Sequence, residues 1–331
     1  MTNVAGTSAA TPFGWLRTAA SQLRLSALGI WFALALLAVS ALATAPEFFG
    51  VGNLQDVLRR SSILGIVTMG QVLVLLTAGL DLSVAAVIGL TAVAIAESSR
   101  PGGPGLAVGL AAMILVASGV GLTNGLLVSK RGVPPFVATF GMFIVLEGAR
   151  LAWTGGTASG NVPEGLKELG RGTPIGLPWP TIVLILLIAG LTIVTHRTVF
   201  GRSLVLTGAN ERMAFLSGIA VARVKTAAYV ASALLAVLTG IFFAAFVGYV
   251  DRFLGRGADL DSIAAALIGG TLFSGGEGSF VRAAAGALLI VALFNLIILN
   301  GLPIHWQLAA KGFVLIAAVA LQTAGRRGSG P

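Results

Sequence analysis

Seven apolar stretches, each long enough to cross a membrane, constrain the fold of this chain more than any other feature of its sequence. They cover residues 27–45, 61–79, 105–128, 133–153, 177–195, 224–247 and 282–299. A helix needs roughly 20 apolar residues to cross the hydrocarbon core of a bilayer, and a helix satisfies its own backbone hydrogen bonds there. The pattern therefore predicts a protein that crosses a membrane several times.

Three shorter stretches, 82–96, 260–272 and 306–322, raise the predicted number of crossings to about ten. The run from Ser61 to Ala96 would form one helix about 54 Å long, which is too long for a single crossing. It must turn back, and in the segment Gly79–Ser83 a glycine can end one helix while Asp81 or Ser83 caps the next. We predict an all-α, polytopic membrane bundle of about ten transmembrane helices, with short or broken helices in each half.

Composition supports a membrane environment. Hydrophobic residues make up 56% of the 331 residues and charged residues only 10%, whereas soluble domains carry about 25% charged residues. A soluble core cannot hide this much apolar surface. The chain has no cysteine, which excludes disulfides and thiolate chemistry.

Basic residues give the predicted topology a direction. With the N-terminus in the cytoplasm, twelve Lys and Arg residues fall inside, eight fall outside, and Lys311 lies within a span. Because basic residues favour cytoplasmic loops, we expect both termini to be cytoplasmic. The chain then divides into a cytoplasmic N-terminal segment 1–26, a transmembrane domain 27–322 with an internal loop 196–224, and a cytoplasmic tail 323–331. We expect the N-terminal segment not to be cleaved as a signal peptide. The basic inner face suits anionic membrane lipid, so we expect no nucleic acid partner.

The sequence lacks the motifs of most enzymes. It contains no G-x-x-x-x-G-K-[ST], no H-E-x-x-H and no G-x-S-x-G, and its two histidines, His196 and His305, fall on opposite predicted faces. We therefore predict no catalytic residues, no metal and no cofactor. Any energy for transport must come from a partner or from a gradient.

The internal loop 196–224 is basic, and its middle predicts a short helix. Asn210 can act as the N-cap, Glu211 lies in the first turn, and Gly218 can end the helix. Met213, Phe215, Leu216 and Ile219 would give this helix an apolar side. Such a helix suits docking to another protein, and the alternative is an amphipathic segment on the membrane surface.

Few ionisable residues fall inside the predicted spans. Glu147 and Arg150 are three residues apart on one helix, which favours an ion pair near the membrane interface. Lys311 either snorkels outward or belongs to a pathway. A gradient-driven carrier usually needs more buried charge than this chain offers.

Four groups of motifs resemble one family. They read TAGLDLSV at 77–84; NGLLV at 124–128 with VPPFVAT at 133–139 and TGG at 154–156; the internal loop from Gly201 to Ile219; and IGGT at 268–271 with SGGEGS at 274–279. From about residue 50 to residue 322, the chain resembles the permease subunits of ribose-type ABC importers, which handle simple sugars. Ala78 and Ala85 replace glycines that are common in this family.

The resemblance implies a permease subunit in a bacterial plasma (inner) membrane that passes a monosaccharide into the cytoplasm. It implies a second permease copy in a homodimer, two ATP-binding subunits on the cytoplasmic side and an external solute-binding protein. It also implies that the short helix of the internal loop couples to the ATPase, and the residues that carry this role over are Asn210, Glu211, Arg212, Ala214, Phe215, Ser217 and Gly218. The alternatives are a permease for a branched-chain amino acid or a nucleoside, or a gradient-driven carrier.

Polar residues within the spans are the candidates for the translocation pathway, because sugar hydroxyls need hydrogen-bond partners. They are Gln71, Asp81, Ser83, Asn124, Thr139 and Asn295. Hydrogen bonding between helices, or helix capping for Asp81 and Ser83, is the alternative role of each.

Overall fold

The computed structural model describes the backbone of residues 14–156, 160–251, 253–303, 305–313 and 316, and side chains within those ranges from residue 28 onward. The helices are α1 (Gly14–Thr44), a 3₁₀ turn (Pro46–Phe49), α2 (Val51–Leu76), α3 (Val84–Ser98), α4 (Leu106–Arg131), α5 (Pro135–Thr154), α6 (Glu164–Arg171), α7 (Trp179–Arg197), α8 (Val199–Ala209), α9 (Glu211–Leu216), α10 (Val221–Val247), α11 (Ala258–Ile268) and α12 (Phe280–Leu299). Two short strands, β1 (Gly160–Asn161) and β2 (Tyr249–Val250), pair antiparallel. Residues 305–313 are also helical.

The helical membrane fold that the sequence predicts is confirmed. Among the described residues, six helices are long and apolar enough to cross a membrane: α2, α4, α5, α7, α10 and α12. The apolar part of α1, together with α3 and α8, forms shorter apolar helices. The predicted total of about ten crossings stays a prediction.

The centre of the bundle is formed by α2, α3 and α10. Helix α10 packs against α2, α3 and α4, and almost every residue of α2 from position 61 to its end is buried. Two glycines of α4 bring its backbone close to α10, because a Cβ at Gly121 or Gly125 would lie 2.5 Å from the Cα of Val230 or Thr226. Small residues allow this close approach of helices in a membrane protein.

Several boundaries differ from the sequence prediction. Helix α1 begins at Gly14, well before residue 27, and α2 begins at Val51 rather than at residue 61 because its first turns pack on other parts of the protein. There Arg59 is buried, and its guanidinium donates to the carbonyl of Arg171 at 2.8 Å. The last predicted span, 306–322, lies only partly within the described residues, and the predicted tail, 323–331, lies outside them.

The polar segment 154–176 contains β1 and α6. Arg171 closes α6 against α10 by donating to the carbonyls of Phe246 and Val247 at 2.9 and 2.8 Å. These carbonyls belong to the last turn of α10 and have no helical partner of their own. On the same helix, a hydrogen bond from Lys167 lowers the pKa of the Glu164 carboxyl.

Candidate functional site

The chain turns back between α2 and α3, as the sequence predicts, but the residue that allows the turn is not the expected one. Helix α2 ends at Leu76, and the left-handed residue is Ala78 (φ 58°), whereas Gly79 has no positive φ. Gly79 is needed for space instead, since a Cβ there would lie 2.7 Å from the Tyr229 hydroxyl. A left-handed alanine is strained by its Cβ.

A buried polar network holds this first turn. The Ser83 hydroxyl and backbone N–H both donate to Asp81 Oδ1, at 2.6 and 3.0 Å, and Asn124 Nδ2 of α4 donates to Ser83 Oγ at 3.0 Å. Asp81 therefore closes a side-chain turn on Ser83, the N-cap residue of α3, and α3 has no side-chain capping hydrogen bond of its own. The Leu80 carbonyl accepts from Thr139 Oγ1 at 3.2 Å and from the Tyr229 hydroxyl at 3.3 Å.

The network uses only part of its hydrogen-bonding capacity. Asn124 Oδ1 is buried without a hydrogen-bond partner in the described part of the chain. The ion pairs among the described residues do not include Asp81. The side chains of Asp81, Asn124 and Thr139 have no exposed surface.

A second, glycine-rich turn follows α11 and touches the first. Gly270, Gly275 and Gly276 all have positive φ, which glycine adopts without strain. The N–H of Gly276 donates to the carbonyl of Leu76, the last residue of α2, at 3.1 Å. Ser279 then caps α12 by accepting from the Arg282 N–H at 3.4 Å. The two interrupted segments of the chain are thus bonded to each other.

The short helix predicted in the internal loop is confirmed as α9. Asn210 caps it by accepting from the Met213 N–H at 3.0 Å, and Gly218 follows it with a φ of 82°. Glu211 forms an ion pair with Lys225 of α10 at 2.6 Å. Ala214 is buried.

The outer face of α9 is exposed in the described part of the chain. Met213, Phe215 and Leu216 are 57%, 70% and 69% exposed, and Arg212 is also exposed. Ser217 Oγ donates to the Met213 carbonyl at 2.9 Å. An apolar face beside a cation is therefore presented on the loop between α7 and α10.

Helix α8, which the sequence did not predict, connects this loop to both turns. A Cβ at Gly208, one residue before the end of α8, would overlap the Leu76 carbonyl oxygen and would lie 2.6 Å from the Gly276 nitrogen. We call the meeting of Leu76, Gly208 and Gly276 the turn junction. Only a residue without a side chain fits at position 208, and the G-x-N motif in the loop was the one sequence signal for it.

The remaining predicted polar residues lie elsewhere. Gln71 is completely buried, and neither of its side-chain polar atoms has a partner in the described part of the chain. Asn295 of α12 exchanges hydrogen bonds with Asn53 of α2 at 2.9 and 3.1 Å. Hydrogen bonding between helices was the alternative role that the sequence analysis gave to Asn295. The predicted pair of Glu147 and Arg150 is confirmed at 2.6 Å.

Lys311 belongs to an ion pair that sequence reasoning missed. Its Nζ lies 2.7 Å from Asp261 Oδ1 of α11 and 5.8 Å from the centre of the Phe294 ring. The two charged residues are 50 positions apart, so no local pattern could pair them.

A cleft lies between the two turns and α5, with a volume of about 330 Å³. The cleft is lined by Leu80 and Leu82 of the first turn, Phe273 of the second turn, Phe136 and Phe140 of α5, and Asp259, Leu260, Ile263 and Leu267 of α11. The rings of Phe136 and Phe140 are stacked, with centroids 5.5 Å apart. The cleft thus combines flat aromatic surfaces with one carboxylate. Among the described residues, no group of three or more His, Asp or Glu side chains is arranged to hold a metal.

The class of protein follows from a family model described as a branched-chain amino acid transport system permease component, which matches residues 53–319. The chain belongs to this family of membrane permeases, and the resemblance seen in its motifs is confirmed.

Named relatives define the branch more closely. The chain is 35% identical to the ribose import permease protein RbsC of Bacillus subtilis (strain 168) over 297 residues, which is 89% of this chain and 92% of the relative. It is 34% identical over 295 residues to the autoinducer 2 import system permease protein LsrC of Klebsiella pneumoniae subsp. pneumoniae, covering 89% of this chain and 85% of the relative. No solved structure matches the chain.

Proposed function

We propose that this chain is the membrane-spanning permease subunit of an ATP-driven importer that passes a monosaccharide, ribose or a close analogue, into the cytoplasm. The observation that carries the proposal is the turn junction, where the loop that carries α9 contacts both interrupted turns through Gly208. A displacement of α9 would reach the turns through backbone contacts. The ribose import relatives support the choice of substrate class.

The proposed topology has about ten crossings with both termini in the cytoplasm. The six long helices would be joined by the apolar part of α1, by α3 and α11, and by the helical stretch that begins at residue 305. With 15 and 11 residues, α3 and α11 rise only about 22 and 16 Å, so each stops short of a full crossing of roughly 30 Å. Short helices of this kind in both halves of a transporter point to its pathway.

We propose three kinds of partner for this chain. The exposed face of α9 suits docking to one of two ATP-binding subunits, since Phe215 and Leu216 offer apolar anchors and Arg212 offers a charge. A second copy of this chain would complete the pore. An external solute-binding protein would deliver the sugar. The membrane-surface alternative for α9 predicts no effect of its residues on ATP hydrolysis.

The proposed sugar passage is the aromatic cleft beside the two turns. Apolar pockets with a few well-placed polar groups suit small ligands, and the carboxylate of Asp259 can accept hydrogen bonds from sugar hydroxyls. The predicted pathway residues Asp81, Ser83, Asn124 and Thr139 then act by holding the first turn against the cleft. Gln71 and Asn295 remain pathway predictions without such a contact.

Uptake of radiolabelled ribose by cells that express the complete importer tests the proposal. We expect uptake to stop when ATP is depleted and to continue when only the proton gradient is collapsed. We also expect an ATP-binding subunit to copurify with this chain. Uptake that survives loss of ATP, together with a chain that purifies without such a subunit, would show a gradient-driven carrier instead.

The named relatives also include importers of autoinducer 2, so a second cargo class must be separated from ribose. The solute-binding partner decides this, because it selects the solute before the permease receives it. Mass spectrometry of the ligand retained by that copurified partner would identify the cargo. A ligand that is an amino acid or a nucleoside would contradict the sugar proposal while leaving the ATP-driven mechanism intact.

A further inference from the structure

A groove of about 1110 Å³ lies between α4, α9 and α10. Its floor is apolar and includes Leu122 and Leu126 of α4 and Val230 and Leu234 of α10. Its charged residues are Lys130, Arg212, Arg223 and Glu211. The groove does not share a lining residue with the aromatic cleft, so it is not part of the proposed sugar passage.

The charges of the groove are concentrated at one end. Helices α4 and α10 run antiparallel, since Gly121 faces Val230 whereas Gly125 faces Thr226. Lys130 near the end of α4 is therefore level with Arg223 near the start of α10. From there the apolar floor extends to Leu122 and Leu234, over about 12 Å along α4 and about 16 Å along α10. This length matches one leaflet, which is half of a hydrocarbon core roughly 30 Å thick.

The cations of the groove are available to bind an anion. Lys130, Arg212 and Arg223 form no ion pair within the described part of the chain, whereas the single acid, Glu211, is already paired with Lys225. Ser129 and Thr226 add two hydroxyl groups, 3.5 Å apart, between the basic end and the apolar floor. The groove thus has a cationic end, two hydroxyl groups next to it, and then an apolar floor.

We propose that this groove binds one anionic phospholipid, with its phosphate between Lys130 and Arg223 and an acyl chain along the apolar floor. The charge of the rim and the length of the floor both match such a lipid, and basic pockets between transmembrane helices are known to bind anionic head groups. The lipid would belong to the leaflet on the side of α9, which is the cytoplasmic leaflet in the proposed topology.

Native mass spectrometry of the full-length chain in detergent, with added phosphatidylglycerol or phosphatidylcholine, tests the proposal. Each basic residue near an anionic lipid surface raises affinity about fivefold. We therefore expect Lys130→Gln with Arg223→Gln to weaken phosphatidylglycerol binding by about 25-fold. The matched control is Arg131→Gln with Arg202→Gln, which removes two exposed charges of the same region outside the groove and is expected to keep wild-type binding.

A second variant tests the apolar floor without changing charge. Ala227 lies in the groove wall and is exposed, so Ala227→Trp should fill the floor and also reduce phosphatidylglycerol binding. Equal binding of phosphatidylglycerol and phosphatidylcholine by the wild type would overturn the proposal, as would equal losses in the groove and control variants. A photocrosslinker at Thr226 that captures an ATP-binding subunit rather than lipid in the assembled importer would assign the groove to that subunit instead.

Discussion

At the scale of single residues, Ala78 has a left-handed backbone conformation that glycine usually adopts. It is the sole non-glycine residue with positive φ in the described part of the chain, and a left-handed alanine costs roughly 1–2 kcal/mol relative to the right-handed region. We predict that Ala78→Gly raises the thermal unfolding midpoint in detergent by about 2 °C. A gain of about 1 kcal/mol in unfolding free energy raises the midpoint by about 2–4 °C in a domain of roughly 200 residues, and by less in a larger protein.

Ala85→Gly is the matched control, because Ala85 also replaces a glycine that is common in ribose-type permeases. Ala85 lies inside α3 and is 3% exposed. A glycine there loses helix propensity, about 1 kcal/mol, and a buried methyl group. We therefore expect Ala85→Gly to lower the same midpoint. A fall for both variants would show that the left-handed alanine is not strained.

Asn124 supplies a second prediction at this scale. Its amide donates to Ser83 Oγ at 3.0 Å and it is completely buried, so Asn124→Leu removes a donor from the network that holds the first turn. A lost buried partner costs about 1–3 kcal/mol, and we expect ribose uptake to fall at least fivefold while the ATP-binding subunit still copurifies.

Thr123→Leu is the control for Asn124→Leu, since Thr123 is exposed and donates only to its own helix, at the Gly119 carbonyl. Its uptake should match the wild type. Equal losses of uptake and of the copurified subunit in Asn124→Leu would assign Asn124 to helix packing alone.

Residue-level prediction succeeded where the chemistry is local. The turn at Gly79–Ser83, the Asn210 cap and the Glu147–Arg150 pair each depend on residues within a few positions of one another. The left-handed role of Ala78 was missed because Gly79 beside it is the usual residue for that conformation. The pairs of Lys311 with Asp261 and of Glu211 with Lys225 were missed because tertiary packing brings them together.

At the scale of elements, α8 is the connection between the loop that carries α9 and the two turns. We predict that Gly208→Ala separates ATP hydrolysis from transport, because the new methyl group overlaps the Leu76 carbonyl and forces α8 away from the turn junction. Uptake should fall about tenfold or more in the assembled importer, whereas ATP hydrolysis should remain.

The control for this substitution is Gly190→Ala in α7, where a Cβ has open space within 4 Å. It should leave uptake unchanged. If Gly208→Ala transports as well as the control, the turn junction does not transmit motion.

Helix α9 carries the next prediction. Glu211→Ala with Arg212→Ala should lower uptake without lowering the amount of protein in the membrane, because the first substitution frees α9 from Lys225 and the second removes an exposed charge from its docking face. Unchanged uptake would contradict the docking role of α9.

The anchoring part of this effect can be separated by exchanging charges. Glu211→Lys should lower uptake, and Glu211→Lys combined with Lys225→Glu should restore part of it by re-forming the pair with opposite polarity. A combined variant no better than Glu211→Lys alone would mean that the carboxylate of Glu211 acts on the partner rather than on α10.

Element prediction was strongest for the long apolar stretches and weakest for the connections. Each of the seven long stretches lies on a helix, because the hydrocarbon core requires that structure. Helix α8 was not predicted, since its position is set by contacts of Gly201, Leu204 and Thr207, which are buried against other elements. The extension of α2 to Val51 depends in the same way on packing beside α6.

At the scale of the whole molecule, the absence of cysteine from the sequence makes the aromatic cleft directly testable. We predict that a Phe140→Cys variant loses most of its ribose uptake after reaction with a bulky thiol reagent, because the modified side chain would obstruct the proposed passage. Val145→Cys, at another exposed position of α5 that does not line the cleft, is the control and should keep its uptake. Equal inhibition of the two would contradict the assignment of the passage.

The hydrogen bond from the Gly276 N–H to the Leu76 carbonyl also sets an order of events during biosynthesis. Gly276 is synthesised about 200 residues after Leu76, which at 5–20 residues per second takes roughly 10–40 s. Until then, the Leu76 carbonyl lacks its final partner. An unpaired carbonyl away from water is costly, so we expect the first turn to reach its final structure only after the C-terminal half has been synthesised.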